Sequence, residues 1–286
     1  MNATLAHRGL SRDLLAHRVE LACLLEVSAP KPGNITPSHE FADTTYADML
    51  RSALALGQVF TSAHVREQGV GQLIADAVEA TAEVAGANTN LGIVLLFAPL
   101  ARASVVTRKR ETLRDTTERV LEYLGVSDAA IAYPAIVAAA PGGLGRAPAH
   151  DVSEPPRVTL REAMAAAADR DSIASEYATG YATVFGTALP LLSDALRGGT
   201  PTLEAIVTLH LRLLASERDT LIERKAGRDA AWAVSADAQR VLDGRLSIAE
   251  FDASLRGPDH RLNPGTTADL VAATLLAAML SGMDLP

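Results

Sequence analysis

The sequence predicts an all-α fold, a single compact multi-helix bundle with long functional loops. Alanine and leucine recur throughout while aromatic residues make up only 4%, which favours closely packed helices over sheets of Val, Ile, Tyr and Phe. Apolar residues return at helical spacings in successive segments, and strand-like alternation is almost absent. At 48% hydrophobic and 21% charged over 286 residues, the chain can bury a large core and lies far from the composition of disordered segments. Residues 1–286 therefore read as one domain.

Ser11–Val27 places Leu14, Leu15, Val19, Ala22, Cys23 and Leu25 at helical spacings behind a Ser11 and Asp13 cap. Pro30, Pro32, Gly33 and Pro37 then forbid regular structure until about Thr44, and a loop of that length usually has a function. Helical patterns resume over Tyr46–Arg66, Val70–Ala85, Leu91–Ser104 and Lys109–Leu124, punctuated by Gly69, Gly86 and Gly125. The string PGGLGRAPAHDVSEPP over Pro141–Pro156 is a break, either a linker or an active-site flap, and the flap is preferred. Further helices are expected at Leu160–Ala168, Ile173–Phe185, Leu203–Arg224, Asp229–Leu242 and Thr267–Leu280.

The net charge of −8 excludes a generally basic nucleic-acid binder but not a local phosphate pocket. The apolar runs Leu91–Ala101 and Leu270–Leu280 are too short to span a membrane. Neither nucleic acid nor membrane is expected as a partner. The segment Met1–Arg12 leads into a charge-interrupted helix rather than a signal core, and the single Cys23 reads as a core residue in a reducing compartment. A cytoplasmic protein is the expectation. The histidines lack HExxH spacing, and neither a Gly-x-Ser-x-Gly elbow nor a Walker string occurs. Trp232 and Tyr177 read as packing residues rather than base-stacking platforms.

Four constellations could carry chemistry. The first is Glu26 at a helix end, then Pro30-Lys31-Pro32-Gly33-Asn34, His39 and Asp43. Prolines hold a lysine in place at low entropic cost and Gly33 lets backbone approach a phosphate, though a helix exit with surface charges explains the same letters. The second is Gly86-Ala87-Asn88-Thr89-Asn90-Leu91-Gly92, where Asn88 or Asn90 caps a helix or its amides attract an anion. Upstream, Asp76, Glu79 and Glu83 put three carboxylates on one helical face, which is either solvated or a Mg²⁺ site. The third is Glu217-Arg218-Asp219-Thr220 with Glu223-Arg224-Lys225, able to handle metal and phosphate or merely to form i,i+4 pairs. The fourth, Arg261 to Asp269, opens the last apolar helix with Asn263, Gly265 and Asp269; Thr266 or Thr267 can cap it. Asp169-Arg170-Asp171 reads as a helix-end charge cluster.

In this order, Glu26 with PKPG at Pro30–Gly33, Arg51-Ser52-Ala53, GANTNLG at Gly86–Gly92, Asp219-Thr220 and NPGTTADL at Asn263–Leu270 resemble the triphosphoribosyl-dephospho-CoA synthase family. The resemblance spans most of the chain. It implies an all-helical fold and a transfer of a triphosphoribosyl group from ATP to the 2′-hydroxyl of dephospho-CoA, with adenine released. It implies Glu79, Asp43 and Asp219 as catalytic groups and Glu79 with Asp219 as ligands of a Mg²⁺ cofactor. Substrate contacts fall to Glu26, Lys31, Gly33, Asn34, His39, Asn88, Asn90, Lys225, Asn263, Gly265 and Asp269. Lys31 and Gly33 take the phosphate loop. Displacement at an anomeric carbon develops oxocarbenium charge that carboxylates stabilise, a carboxylate takes the hydroxyl proton, and Mg²⁺ neutralises phosphates.

The chain departs from the family pattern. Asn90 and Leu91 stand where His and Lys are usual, Phe41 replaces a histidine, Leu221 an asparagine, and Lys225 an arginine, which is not an equal bidentate partner. The pattern resembles a divergent branch of the family associated with archaea and one-carbon metabolism. There, phosphoribosyl transfer in tetrahydromethanopterin-type cofactor biosynthesis is the alternative, and a Mg²⁺-dependent N-ribosyl hydrolase is another. A non-enzymatic helical assembly protein is the third. The expected partners are a nucleotide or phosphoribosyl donor and a small-molecule acceptor, with homo-oligomerisation left open.

Overall fold

The computed structural model describes residues 13–85, 90–139, 147 and 149–285. The described residues form α1 (Leu14–Ser28), α2 (Tyr46–Val59), α3 (Ser62–Glu67), α4 (Val70–Ala85) and α5 (Leu91–Val106). Next come α6 (Leu113–Glu122), α7 (Val126–Ala138), α8 (Leu160–Ala165) and α9 (Ser172–Thr179). A π-helical turn, Val184–Ala188, runs into α10 (Leu189–Arg197). The chain closes with α11 (Thr202–Ser216), α12 (Thr220–Ala226), α13 (Arg228–Leu242), α14 (Ile248–Leu255) and α15 (Gly265–Leu280). Among the described residues there is no strand, only an isolated bridge between Thr36 and His39. The all-α expectation holds.

Two helices form the centre. In α5 and α15 almost every side chain is buried, from Leu91 to Ala103 and from Thr266 to Met279, as expected of helices that are apolar all round. They pack against each other; α1, α11 and the π turn close on α15, while α3, α4 and α6 close on α5. Among the described residues no single helix is long and apolar enough to cross a membrane.

Pro99 lies inside α5 and removes the amide that the Leu95 carbonyl would otherwise accept. The hydroxyl of Tyr177 donates to that carbonyl at 2.6 Å, and Tyr181 donates to Leu96 at 2.7 Å. Both tyrosines are fully buried, so Tyr177 is the packing residue expected. Trp232, by contrast, is 45% exposed and does not pack as foreseen.

Several helices are shorter than the periodicity suggests, and local capping explains why. Tyr46–Arg66 breaks at Phe60, after which the Thr61 hydroxyl accepts from His64 N–H and starts α3. Leu203–Arg224 breaks at Glu217, and Asp219 starts α12. Ile173–Phe185 ends early at Gly180, whose φ of 66° is left-handed. Lys109–Leu124 starts only at Leu113, behind the Thr112 and Asp115 capping box. Helices α7, α10 and α14 lie where the periodicity predicts none. The N-terminal cap of α1 is Asp13, which accepts from Leu15 and Ala16 N–H groups; Ser11 lies outside the described residues.

Candidate active site

The PKPG loop is a structural lock. Lys31 is fully buried, with its ammonium 2.9 Å from Glu26 Oε1 and donating to the Glu26 carbonyl. Gly33 adopts φ 76°, and its N–H donates to Asp252 Oδ1 of α14 at 2.8 Å. A Cβ there would meet Leu255 and Pro264 side chains at 2.9 Å, which is why glycine is required. The phosphate-loop expectation for Lys31 and Gly33 is therefore corrected: residues 31–36 are all buried, and the cation and the amide already have protein partners. Asp252 is also clasped by Arg256, which donates on to the Asn34 carbonyl. The Arg256 and Gly33 hydrogen bonds outweigh burial and hold the Asp252 carboxyl below its usual range.

Asp219 is likewise structural. Its Oδ1 accepts from Leu221 and Ile222 at the start of α12, at 2.9 and 3.0 Å. Its Oδ2 accepts the N–H and the hydroxyl of Thr267 in the first turn of α15, both at 2.8 Å. One buried carboxylate thus caps two helices, and the expected Thr266 or Thr267 cap is replaced by a side chain from 48 positions upstream. Burial raises the Asp219 pKa although these hydrogen bonds oppose it.

Between these two locks lies a cavity of about 500 Å³. Among its lining residues are Glu26, Asn34, Asp43, Asn90, Lys225, Asn263, Gly265 and Asp269, eight of the positions expected from sequence. Asn34 is held by an Nδ2 donation of 2.8 Å to Asn263 Oδ1. Asn90 is buried at the start of α5. Asp269, in the first turns of α15, rests its carboxylate against Gly92: a Cβ on Gly92 would lie 2.0 Å from Asp269 Oδ2. Burial, then the fields of Glu26, Asp219 and Asp171, holds the Asp269 carboxyl well above its usual range, with Arg224 opposing.

Arg170 and His260 escaped the sequence reading of the site, whereas Arg224 belongs to the third constellation and Phe41 enters it only as a departure from the family pattern. Arg170 and Arg224 line the cavity beside Lys225; Arg224 pairs with Asp171, which also caps α9 through Ile173 and Ala174. Phe41 stacks on His260 with ring centroids 3.9 Å apart, and both line the cavity. From the described part of the 141–156 segment, Ala147, Ala149, His150, Asp151 and Val152 line the same cavity. No spacing signal marks Phe41 or His260, because their contact joins segments far apart in the chain.

Other expected positions lie elsewhere. Asn88 is outside the described residues. His39 is exposed, its ring 3.1 Å from the Ser38 hydroxyl, and does not line the cavity. Glu79 is exposed on α4 and does not line it either. Its helical neighbour Asp76 binds His64 and Gln72, so the acidic face is solvated and tied to α3. As a Mg²⁺ pair, Glu79 and Asp219 do not fit: one faces solvent and the other has both oxygens filled by four donors. Among the described residues no group of three or more His, Cys, Asp or Glu could hold a metal.

Comparison with known proteins supplies the rest. Two relatives named 2-(5''-triphosphoribosyl)-3'-dephosphocoenzyme-A synthases, from Pectobacterium carotovorum subsp. carotovorum and Pectobacterium atrosepticum, are each 36% identical over 104 residues. That match covers 35% of this chain and 34% of each relative, so the chain aligns with about a third of their length. A solved structure from Archaeoglobus fulgidus, described as a triphosphoribosyl-dephospho-CoA synthase, superposes with a TM-score of 0.64 at 21% identity. It covers 83% of this chain and 99% of its own, and shares the fold. The profile of the CitG family, ATP:dephospho-CoA triphosphoribosyl transferase, matches residues 12–285. By a match of that extent, the chain belongs to this family of ATP:dephospho-CoA triphosphoribosyl transferases.

Proposed function

We propose that the protein is a glycosyl transferase that moves the triphosphoribosyl group of ATP onto the 2′-hydroxyl of dephospho-CoA and releases adenine. The observation that carries this reading is the convergence of Glu26, Asn34, Asp43, Asn90, Lys225, Asn263, Gly265 and Asp269, from distant segments, on one cavity. Its volume of about 500 Å³ suits a nucleotide-sized ligand. Arg170 and Lys225 line it, and among the described residues neither side chain forms an ion pair. With Arg224 they supply the positive charge that a triphosphate requires, and they offset the absence of a cation at Asn90 and Leu91. The carboxylates that line the same cavity suit the oxocarbenium character of a breaking anomeric bond.

Mg²⁺ belongs in this reading with the triphosphate of the donor, whose charge it neutralises, since this ion is commonly held by substrate phosphates and only one or two carboxylates. The test is incubation of the protein with ATP, dephospho-CoA and Mg²⁺. Adenine and a CoA product heavier by one triphosphoribosyl group, in equal amounts, are expected. Adenine with free ribose triphosphate would show a hydrolase instead, and no adenine would overturn the reading.

A further inference from the structure

We propose that Asp269 is the catalytic group that takes the proton from the acceptor hydroxyl. The inference rests on the transferase reading above and assigns that step to one side chain. The carboxylates at the cavity wall differ in what they already hold. Glu26 is paired with Lys31. Asp171 is divided between Arg224 and the start of α9. Asp151 accepts from Ala147 and Ser153 and shapes its own turn. Asp43 and Asp259 are exposed at the rim, and Asp219 is spent on two helix starts away from the cavity lining. Asp269 lines the cavity and, among the described residues, its carboxylate has no hydrogen bond or ion pair. Its place is built for it, because Gly92 leaves open the space that a Cβ would take from Asp269 Oδ2.

The charged groups that face Asp269 come from three directions: Glu26 at the end of α1, Asp171 ahead of α9, and Asp219 with Arg224 at α12; the titratable but neutral thiol of Cys23 on α1 faces it too. Three of the four charged groups are acidic, so the surroundings favour a bound proton. Burial is the larger cause of that preference, ahead of the charges, and a more basic carboxylate is a better proton acceptor. In the step proposed, the acceptor oxygen forms a bond to the anomeric carbon while its O–H bond breaks and the proton passes to Asp269. The anomeric C–N bond breaks in the same displacement, and its electron pair leaves with adenine. Adenine takes up one proton from water and Asp269 later returns one, so charge and atoms balance without a further reactant.

The test separates proton transfer from binding. Asp269→Asn is expected to lower kcat about 100-fold or more while the dissociation constants for ATP and dephospho-CoA stay within about 3-fold of wild type. In Asp269→Ala, formate is expected to restore part of the lost turnover, since a small carboxylate can occupy the vacated space. The third arm keeps Asp269 in place. Asp171→Asn, which retains helix capping, removes a facing negative charge and should move the acid limb of the kcat profile to lower pH. Turnover in Asp269→Asn within tenfold of wild type would overturn the proposal. So would a loss of substrate affinity equal to the loss of turnover, or an unmoved acid limb in Asp171→Asn. Wild-type protein that releases no adenine overturns the transferase reading and this inference with it; wild-type turnover that survives Asp269→Asn overturns the inference alone.

Discussion

Lys31 and Glu26 form an ion pair of 2.9 Å shut away from solvent, with side-chain exposures of 0% and 5%. Breaking a buried pair from one side leaves an uncompensated charge, at a typical cost of 3–5 kcal/mol. Lys31→Met is therefore expected to lower stability by about that much, read by urea denaturation. The double variant Glu26→Gln, Lys31→Met should recover most of the loss. If the single and double variants are equally unstable, the pair is not what holds the loop.

His210 on α11 is fully buried and neither ring nitrogen has a hydrogen-bond partner among the described residues. Burial, with the field of Lys31, pushes its pKa from 6.5 down to about 3. The unfolded chain takes this proton below pH 6.5 and the folded chain does not, so stability falls as pH drops through that window, toward pH 3. The slope is about 1.4 kcal/mol per pH unit. His210→Leu should remove this component of the acid sensitivity, measured as the difference between wild-type and variant denaturation curves at roughly pH 4 and pH 7. Parallel pH dependence in both proteins would rule the ring out as its source.

Gly92→Ala places a methyl group where Asp269 Oδ2 lies. The displaced carboxylate should cost about 100-fold in turnover, as a misplacement of 1 Å can. The melting temperature should not fall by much, since alanine is the better helix former. A variant of full activity would show that the carboxylate has room to move without consequence.

Glu79→Gln should leave turnover unchanged and stability within about 0.5 kcal/mol of wild type, as for an exposed site away from special features. A large loss of turnover in a folded variant would return Glu79 to the active site.

Asp269→Asn is expected to raise the melting temperature near neutral pH while it lowers turnover. The folded-state pKa of Asp269 is raised, so ionisation weakens folding at any pH above the unfolded carboxylate pKa, and the penalty grows until pH reaches the folded value. The amide carries no such penalty. A lower melting temperature in this variant would mean that the carboxylate makes a stabilising contact.

The helical class and most element positions were legible because periodicity and proline placement are local signals. Helices α7, α10 and α14 were missed although Gly125 and Asp128 form a capping pair at the start of α7. The residues of the cavity were legible as strings, but their roles were not. Lys31 and Asp219 read as ligands for phosphate and metal because sequence shows a charge without its partner. The partners Glu26 and Thr267 become visible only in three dimensions, and the second lies 48 positions away. Phe41 and His260 meet across more of the chain still.

The two-ended grip of Asp219 yokes the segment bearing Arg224 and Lys225 to the one bearing Gly265 and Asp269. Cations and acid are mounted on a single frame, so their spacing is a property of the scaffold that no ligand has to create. On the proposed transferase reading, a donor gripped by its phosphates at one end of that frame finds the acid already at a fixed reach. Loosening the yoke by Asp219→Asn should then degrade alignment before it degrades affinity, and the ruler would be lost while the handle remained.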